Sequence, residues 1–182
     1  MLEKKLIQYI EENESMLNDL RRVRDLHLPD GYIGAGLIRN YVWDRLHGWD
    51  NRQQHNDIDV IYFDPNDCTE ERDRALENHL ITSTGNTKWS VKNQARMHEK
   101  NGNSPYTSTG DAISFWPEVV TAIAVRIDQE DRLEVLAPYG LEDLFQLKVR
   151  RSPRFEDHAY YLARIHKKQW QQKWPLLQIQ ED

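Results

Sequence analysis

Residues 33–63 read IGAGLIRNYVWDRLHGWDNRQQHNDIDVIYF. The pattern predicts a short strand that ends in a turn from Gly34 to Gly36, then an amphipathic helix, a polar loop and a second strand. The second strand opens with Asp57 and Asp59, and side chains two positions apart on a strand point to the same side. The stretch therefore predicts a strand–helix–strand unit in which two carboxylates share one face beside a glycine turn.

The paired carboxylates of Asp57 and Asp59 favour a divalent metal site. Two negative charges at this spacing repel each other unless a cation lies between them, and hard oxygen ligands suit Mg²⁺ or Mn²⁺. Proteins commonly hold Mg²⁺ through one or two carboxylates together with substrate phosphates. We therefore predict both residues as metal ligands and catalytic residues. The alternative is a polar strand opening with one Asp in a turn and the other in solvent, because an isolated Asp-x-Asp pair is common.

The glycine turn predicts a phosphate site. Gly34 and Gly36 would let phosphate approach the backbone closely, at the N-terminus of the helix that follows. A tight strand-to-helix turn also needs small residues without any ligand. Arg39 lies in the first turn of this helix, where a cation is unfavourable relative to the helix dipole. It is therefore predicted either to clamp phosphate or to pair with Asp57 or Asp59.

The segment 88–98 reads as a further strand. Four donors would alternate onto one side of it: Lys92, Gln94, Arg96 and His98. This side would either face solvent or form the wall of a cleft that neutralises a triphosphate or an RNA backbone. On the second interpretation, Lys92 is a phosphate-binding cation.

These motifs resemble the opening of the nucleotidyltransferase superfamily, in which a Gly-Gly-x-Val-Arg-Asp element, a Leu-Gly helix end and an Asp-x-Asp strand occur in that order. The corresponding elements are AGLIRN (35–40), LHG (46–48) and NDIDV (56–60). Over this stretch the resemblance to tRNA CCA-adding enzymes is close. Nearly the whole chain is similar to a group of small bacterial nucleotidyltransferase-like proteins, through WSVKNQARMH (89–98), TAIAVR (121–126) and APYGLEDLF (137–145).

The resemblance implies an α/β (α+β) fold, with a small mixed sheet of about five strands flanked by helices. It also implies transfer of a nucleoside monophosphate from an NTP to an acceptor, with two metals bridging Asp57 and Asp59. The acceptor, which is RNA, a protein or a small molecule, cannot be read from the sequence. A catalytically incomplete nucleotide- or RNA-binding module of the same fold is the alternative.

The implied mechanism usually needs a third carboxylate on a neighbouring strand. Two acidic residues at strand edges are available, Asp128 and Glu134, while Glu99 and Asp111 are less convincing. Asn40 stands where the CCA-adding pattern has an acid. The sequence thus leaves open whether the metal site is complete.

Composition predicts one domain over residues 1–182, with an N-terminal helical segment at 1–28 and a C-terminal helix and tail at 154–182. No apolar run approaches the roughly 20 residues of a membrane span, so we expect no membrane partner and a cytoplasmic location. Cys68 is the only cysteine, which excludes an intrachain disulfide and cysteine-rich zinc sites.

The net charge of −6 argues against broad DNA binding, which needs phosphate neutralisation by Lys and Arg. The last third of the chain is nevertheless locally basic. This basic set comprises Lys148, Arg150, Arg151, Arg154, Arg164, Lys167, Lys168 and Lys173. It is interpreted as a solvated helix face, with a phosphate-facing patch as the alternative.

Overall fold

The computed structural model describes residues 1–49 and 57–181. Its helices are α1 (Leu2–Glu11), α2 (Glu14–Arg24), α3 (Gly36–Leu46), α4 (Glu70–Thr84), α5 (Met97–Asn101), α6 (Thr109–Ser114), α7 (Glu142–Phe145), α8 (His158–Lys168) and α9 (Trp170–Lys173). Its strands are β1 (Tyr32–Gly34), β2 (Ile58–Tyr62), β3 (Trp89–Asn93), β4 (Ala124–Ile127), β5 (Leu133–Leu136), β6 (Lys148–Val149) and β7 (Gln178–Ile179). Most of the polar loop predicted after α3 lies outside the described residues.

Five strands form the main sheet in the order β3-β2-β1-β4-β5. Strands β2 and β3 are parallel, and the other neighbouring pairs are antiparallel. Strands β6 and β7 form a separate parallel pair. The mixed five-stranded sheet flanked by helices confirms the predicted fold class.

The two faces of the main sheet have different surroundings. Ile33, Val60 and Val125 point into the principal core, where they join buried residues of α1, α2 and α4. Tyr32, Ile61 and Ala124 belong to a smaller apolar cluster on the other face. Directly paired residues of neighbouring strands point to the same side. Because Asp59 pairs with Gly34 and Gly34 with Ala124, this second face also carries Asp59.

The C-terminal segment packs onto α3 through three tryptophans. The ring of Trp43 lies edge-on to Trp170 and Trp174, with centroid separations of 5.6 Å and 5.1 Å. The indole Nε1 of Trp174 also donates a hydrogen bond to Asp44 at 2.7 Å.

The predicted C-terminal helix is broken into α8 and α9, because Gln169 adopts the left-handed region with φ 48°. Within the described residues no helix is long and apolar enough to span a bilayer.

The prediction of one strand over 88–98 is wrong beyond Asn93. The Asn93 side chain accepts a hydrogen bond from the backbone N–H of Ala95 and caps a 3₁₀ turn at Gln94–Arg96. Its amide also donates to the backbone carbonyls of Asp64 and Asp67, both at 2.8 Å. These bonds fix the end of β3.

The four predicted donors therefore do not form one row. Arg96 forms a salt bridge with Asp73, whose side chain is 2% exposed. His98 lies in α5 and bonds the backbone carbonyl of Ala95. Only Lys92 and Gln94 of the four line the cleft described below.

Candidate active site

The ends of three strands meet at the predicted glycine turn. Gly34 at the end of β1 pairs with Asp59 of β2 on one side and with Ala124 of β4 on the other. Asp59 in turn pairs with Ser90 of β3. A cleft of about 1090 Å³ opens over this edge of the sheet, and its wall includes Asp59, Ser90 and Lys92.

The two predicted carboxylates occupy one site. Asp57 is exposed directly before β2, and Asp59 is half-buried within it. Burial raises the pKa of Asp59, the charge of Asp57 raises it further, and the cations of Arg39, Lys168 and Lys92 oppose the rise. Like charges are therefore held together in a partly desolvated place, where a bound cation is electrostatically favoured.

The carboxylates fit a single Mg²⁺ or Mn²⁺. Such an ion takes one or two protein carboxylates and leaves its other positions to water and phosphate oxygens. No group of three or more His, Cys, Asp and Glu suitable for a metal occurs within residues 1–49 and 57–181. Among the described residues, Asp57 and Asp59 therefore have no third ligand of these types beside them.

The residues considered for a third carboxylate lie elsewhere. Asp128 follows the far end of β4, four residues beyond Ala124 and so roughly 13 Å along the strand. It accepts hydrogen bonds from the backbone and side chain of Arg132 in the β4–β5 turn. Glu134 lies on β5, three strands away from β2 in the sheet, and pairs with Arg126. The strand register therefore rules out both as partners of Asp59 in one metal site.

Arg39 faces the interior and is only 6% exposed. Its guanidinium lies 4.9 Å from the ring centroid of Trp43 and 4.5 Å from that of Trp170. It donates hydrogen bonds to the side chains of Asn40 and Thr121. Burial lowers the pKa of Arg39 to about 10, while Glu118 and Asp59 oppose this shift. Arg39 thus supplies positive charge from behind the cleft, and direct contact with phosphate stays a prediction.

A buried carboxylate that the sequence did not predict lies in the same network. Glu118 is fully buried, and it accepts hydrogen bonds from Arg164 Nε at 2.6 Å and Thr121 Oγ1 at 2.7 Å. Arg39 Nη1 donates to the same Thr121 hydroxyl at 2.9 Å. The only sequence sign of Glu118 is a single acid at the start of the apolar run PEVVTAIAV, 117–125.

Helix α8 brings two further cations to the site. Arg164 lines the cleft. Lys168 lies one turn later, and burial lowers its pKa, with a further decrease from the charges of Arg164 and Arg39. Lys168 of the basic C-terminal set therefore interacts with the charge of Asp59, while a phosphate-facing role for the set stays a prediction.

The two glycines of the turn differ in their surroundings. A Cβ on Gly34 would lie 3.1 Å from Ile61 Cδ1 and 3.3 Å from Trp116 Cη2, so close packing requires glycine there. A Cβ on Gly36 would meet nothing nearer than Arg39 Nη2 at 3.8 Å. Gly36 begins α3, and the N-cap residue Ala35 makes no side-chain hydrogen bond to the backbone N–H groups of this helix end. Ala35 between them has φ 51° and ψ −116°, which is unusual for a residue with a side chain.

The sequence matches the nucleotidyltransferase family over residues 21–179. A structure determined by NMR and described as a CCA-adding enzyme head domain is similar, with a TM-score of 0.87 and 35% identity over 97% of this chain and 95% of that chain. No curated protein matches significantly.

Two larger structures share the fold. A CCA-adding enzyme with CTP gives a TM-score of 0.59 at 14% identity, over 98% of this chain and 43% of that chain. The Thermotoga maritima CCA-adding enzyme with tRNA gives 0.58 at 14% identity, over 97% of this chain and 42% of that chain. The chain thus spans less than half the length of these two enzymes. Because the family match covers most of its length, the chain belongs to the nucleotidyltransferase family.

Proposed function

We propose that the protein is a metal-dependent nucleotidyltransferase that moves a nucleoside monophosphate from an NTP to an acceptor. One observation carries the proposal. Asp57 and Asp59 lie together at the edge of a polar cleft whose walls also contain the cations Lys92 and Arg164. Carboxylates for a metal and cations for a triphosphate are the two requirements of phosphoryl-group chemistry.

The acidic and the basic side chains of the site would have different roles. Asp57 and Asp59 hold Mg²⁺ or Mn²⁺, which when bound neutralises phosphate charge and makes an acceptor hydroxyl easier to deprotonate. Lys92 and Arg164 stabilise the negative charge that develops on the leaving pyrophosphate. Arg39 adds positive potential from the interior.

The start of α3 would bind phosphate through its backbone. The first N–H groups of an α-helix lack intrahelical partners, and the helix dipole favours an anion there. Since the N-cap residue Ala35 has no capping side chain and Gly36 leaves space beside the backbone, a phosphate oxygen can approach these donors. Gly34 serves this site indirectly by allowing the close packing of Trp116.

The fold relatives suggest which substrates to test first. Their complexes with CTP and with tRNA make these nucleotides and RNA the first substrates to assay. A protein or a small-molecule acceptor fits the same chemistry, and a cytoplasmic location remains our expectation.

A second candidate is a nucleotide- or RNA-binding module without catalysis. It is favoured by the lack of a third metal-binding acid among residues 1–49 and 57–181. In place of a third acid, the positive charges of Arg39 and Lys168 interact with the carboxylate of Asp59. Such a site would still bind a metal–nucleotide complex without activating an acceptor.

The decisive experiment is incubation with NTPs labelled at the α-phosphate, in Mg²⁺ or Mn²⁺, with and without RNA, protein and metabolite fractions. Catalysis predicts label transfer that Asp57→Asn and Asp59→Asn each abolish, while the control Glu134→Gln retains it. NTP binding without transfer to any fraction would support the binding module. NTP binding that neither Asp variant weakens would reject the metal-site assignment.

A further inference from the structure

Helix α8 carries three residues at intervals of four, Tyr160, Arg164 and Lys168. Side chains four apart lie on one side of a helix, and eight residues rise about 12 Å along its axis. The Lys168 end of this row is close enough to Asp59 to affect its pKa. The Tyr160 end is therefore about two helical turns away from Lys168.

The two ends of the row differ in chemistry. Arg164 lines the cleft in the middle of the row, where Glu118 fixes its guanidinium. Tyr160 also lines the cleft, and 52% of it is exposed. The ring of Phe155, another residue of the cleft wall, lies 5.7 Å from the Tyr160 ring at 54°. The cleft therefore has one end with the cations of α8 and another at which the rings of Tyr160 and Phe155 lie together. We call the second the aromatic end.

A third aromatic ring lines the same cleft. Phe115 lies in the wall, with the guanidinium carbon of Arg154 only 3.7 Å from its ring centroid. Of these rings Tyr160 is the exposed one, and a large exposed ring loses the benefit of burial unless a ligand covers it. The cleft volume of about 1090 Å³ is at the upper limit of pockets for a single small ligand, so both ends can be occupied together.

We propose that the aromatic end is the nucleobase subsite, in which the base of the bound nucleotide stacks on Tyr160 against the support of Phe155. This inference rests on the proposed function, because it assumes that the phosphates lie at the carboxylate end. The order along α8, a ring followed by two cations, matches the order of base and phosphates in a nucleotide. Stacking on a ring face is tolerant of base identity, so this subsite provides affinity for any base.

The test compares two ligands that differ in the presence of a base, ATP and inorganic tripolyphosphate, by calorimetry in Mg²⁺. Tyr160→Ala is expected to weaken ATP binding roughly 5- to 150-fold, the range for one stacked base, and to leave tripolyphosphate binding unchanged. Tyr160→Phe keeps the ring and should bind both ligands like the unmodified protein. Leu176→Ala removes another exposed apolar side chain, outside the cleft wall, and should affect neither ligand.

The outcomes separate this subsite from the proposed function. Unchanged ATP affinity in Tyr160→Ala, or equal losses for ATP and tripolyphosphate, would overturn the subsite while leaving the phosphate site in place. Failure of the unmodified protein to bind either ligand would overturn the proposed function, and the subsite with it. Circular dichroism of each variant checks that the fold is kept, as expected for a change at an exposed position.

Discussion

Glu118 and Arg164 form a buried ion pair between segments that are 46 residues apart in the sequence, with a distance of 2.6 Å from Arg164 Nε to Glu118 Oε1. The Glu118 side chain is fully buried, whereas that of Arg164 is 25% exposed. The pair connects α8 to the residues that precede β4. Because Arg164 also lines the cleft, the pair fixes a cation of the candidate site.

The unequal burial of this pair predicts unequal effects of mutation. Arg164→Gln leaves a fully buried carboxylate without its nearest cation, which we expect to cost about 3 kcal/mol of unfolding free energy. Glu118→Gln leaves the guanidinium of Arg164, which solvent can reach. It should cost about 1–2 kcal/mol of unfolding free energy, because the hydrogen bonds are weakened. Urea denaturation of both variants measures the difference.

A matched control uses an exposed ion pair. Arg74 pairs with Glu70, and both side chains are more than half exposed. Arg74→Gln should therefore change the unfolding free energy by less than about 0.5 kcal/mol. Equal losses for Arg164→Gln and Glu118→Gln would show that burial does not determine the energy of the buried pair.

Asp59 is expected to destabilise the folded protein at neutral pH. Its pKa in the folded state is raised above the ordinary value of 3.8, chiefly by burial and then by Asp57. The folded state therefore binds the proton more tightly than the unfolded chain, and stability falls as pH rises from 3.8 through the raised pKa. Asp59→Asn removes this penalty, so the variant should be more stable than the unmodified protein at pH 7.

The same variant should lose activity. If Asp59 holds the metal, transfer should fall at least ~100-fold, because metal stabilisation of the transition state is worth several kcal/mol. Denaturation at pH 7 and at pH 3.5, without metal, checks the stability change, which should disappear at the lower pH. A stability gain of equal size at both pH values would contradict the assigned cause.

Local sequence pattern was sufficient to predict the strands and the helix that carry the candidate site. The strand, glycine turn and helix at 33–46 and the paired Asp57 and Asp59 follow from residue spacing, because neighbours in sequence determine which side of a strand or helix each side chain occupies. The structure agrees with these predictions for β1, α3 and β2. The metal and phosphate roles of the site residues are still proposals.

The missed features depend on contacts distant in sequence. Glu118 gains its significance from Arg164, and nothing in the local sequence indicates that pairing. The sequence predicts a strand that continues past Asn93. In the structure β3 ends there, because the Asn93 side chain donates to the backbone carbonyls of Asp64 and Asp67, which are distant in sequence. The burial of Arg39 likewise depends on Trp170 in the C-terminal segment.

The backbone conformation of Ala35 predicts a stabilising substitution. With φ 51°, Ala35 occupies a region where a Cβ costs about 1–3 kcal/mol. Ala35→Gly removes that strain, but it loses ~0.8 kcal/mol of methyl burial and about 0.4–1 kcal/mol through greater freedom of the unfolded chain. The midpoints of these ranges leave a net gain of about 0.5 kcal/mol, so we expect Ala35→Gly to be slightly more stable than the unmodified protein in thermal or urea denaturation.

The same exchange at Ala112 provides the control for Ala35→Gly. Ala112 is 1% exposed and lies within α6, without a positive φ. Ala112→Gly should cost about 1–2 kcal/mol through lost helix propensity and methyl burial. If Ala35→Gly is destabilised as much as Ala112→Gly, the backbone at Ala35 is not strained.

The two glycines of the turn should respond differently to alanine. Gly34→Ala places a methyl group 3.3 Å from the rigid ring of Trp116, so we expect a loss of about 1–3 kcal/mol of unfolding free energy. Gly36→Ala has space for its Cβ and begins a helix, so its stability should be unchanged or slightly higher. Urea denaturation of the pair tests this difference without any ligand.

Nucleotide binding then separates packing from phosphate contact. If phosphate approaches the backbone at Gly36, the methyl group of Gly36→Ala should hinder a charge-assisted hydrogen bond and weaken ATP binding by roughly tenfold or more, in a protein that is fully folded. Tripolyphosphate binding should fall by the same factor, because the contact is to phosphate and not to the base. Calorimetry with both ligands measures the two factors, and wild-type affinity for both in folded Gly36→Ala would remove Gly36 from the phosphate site.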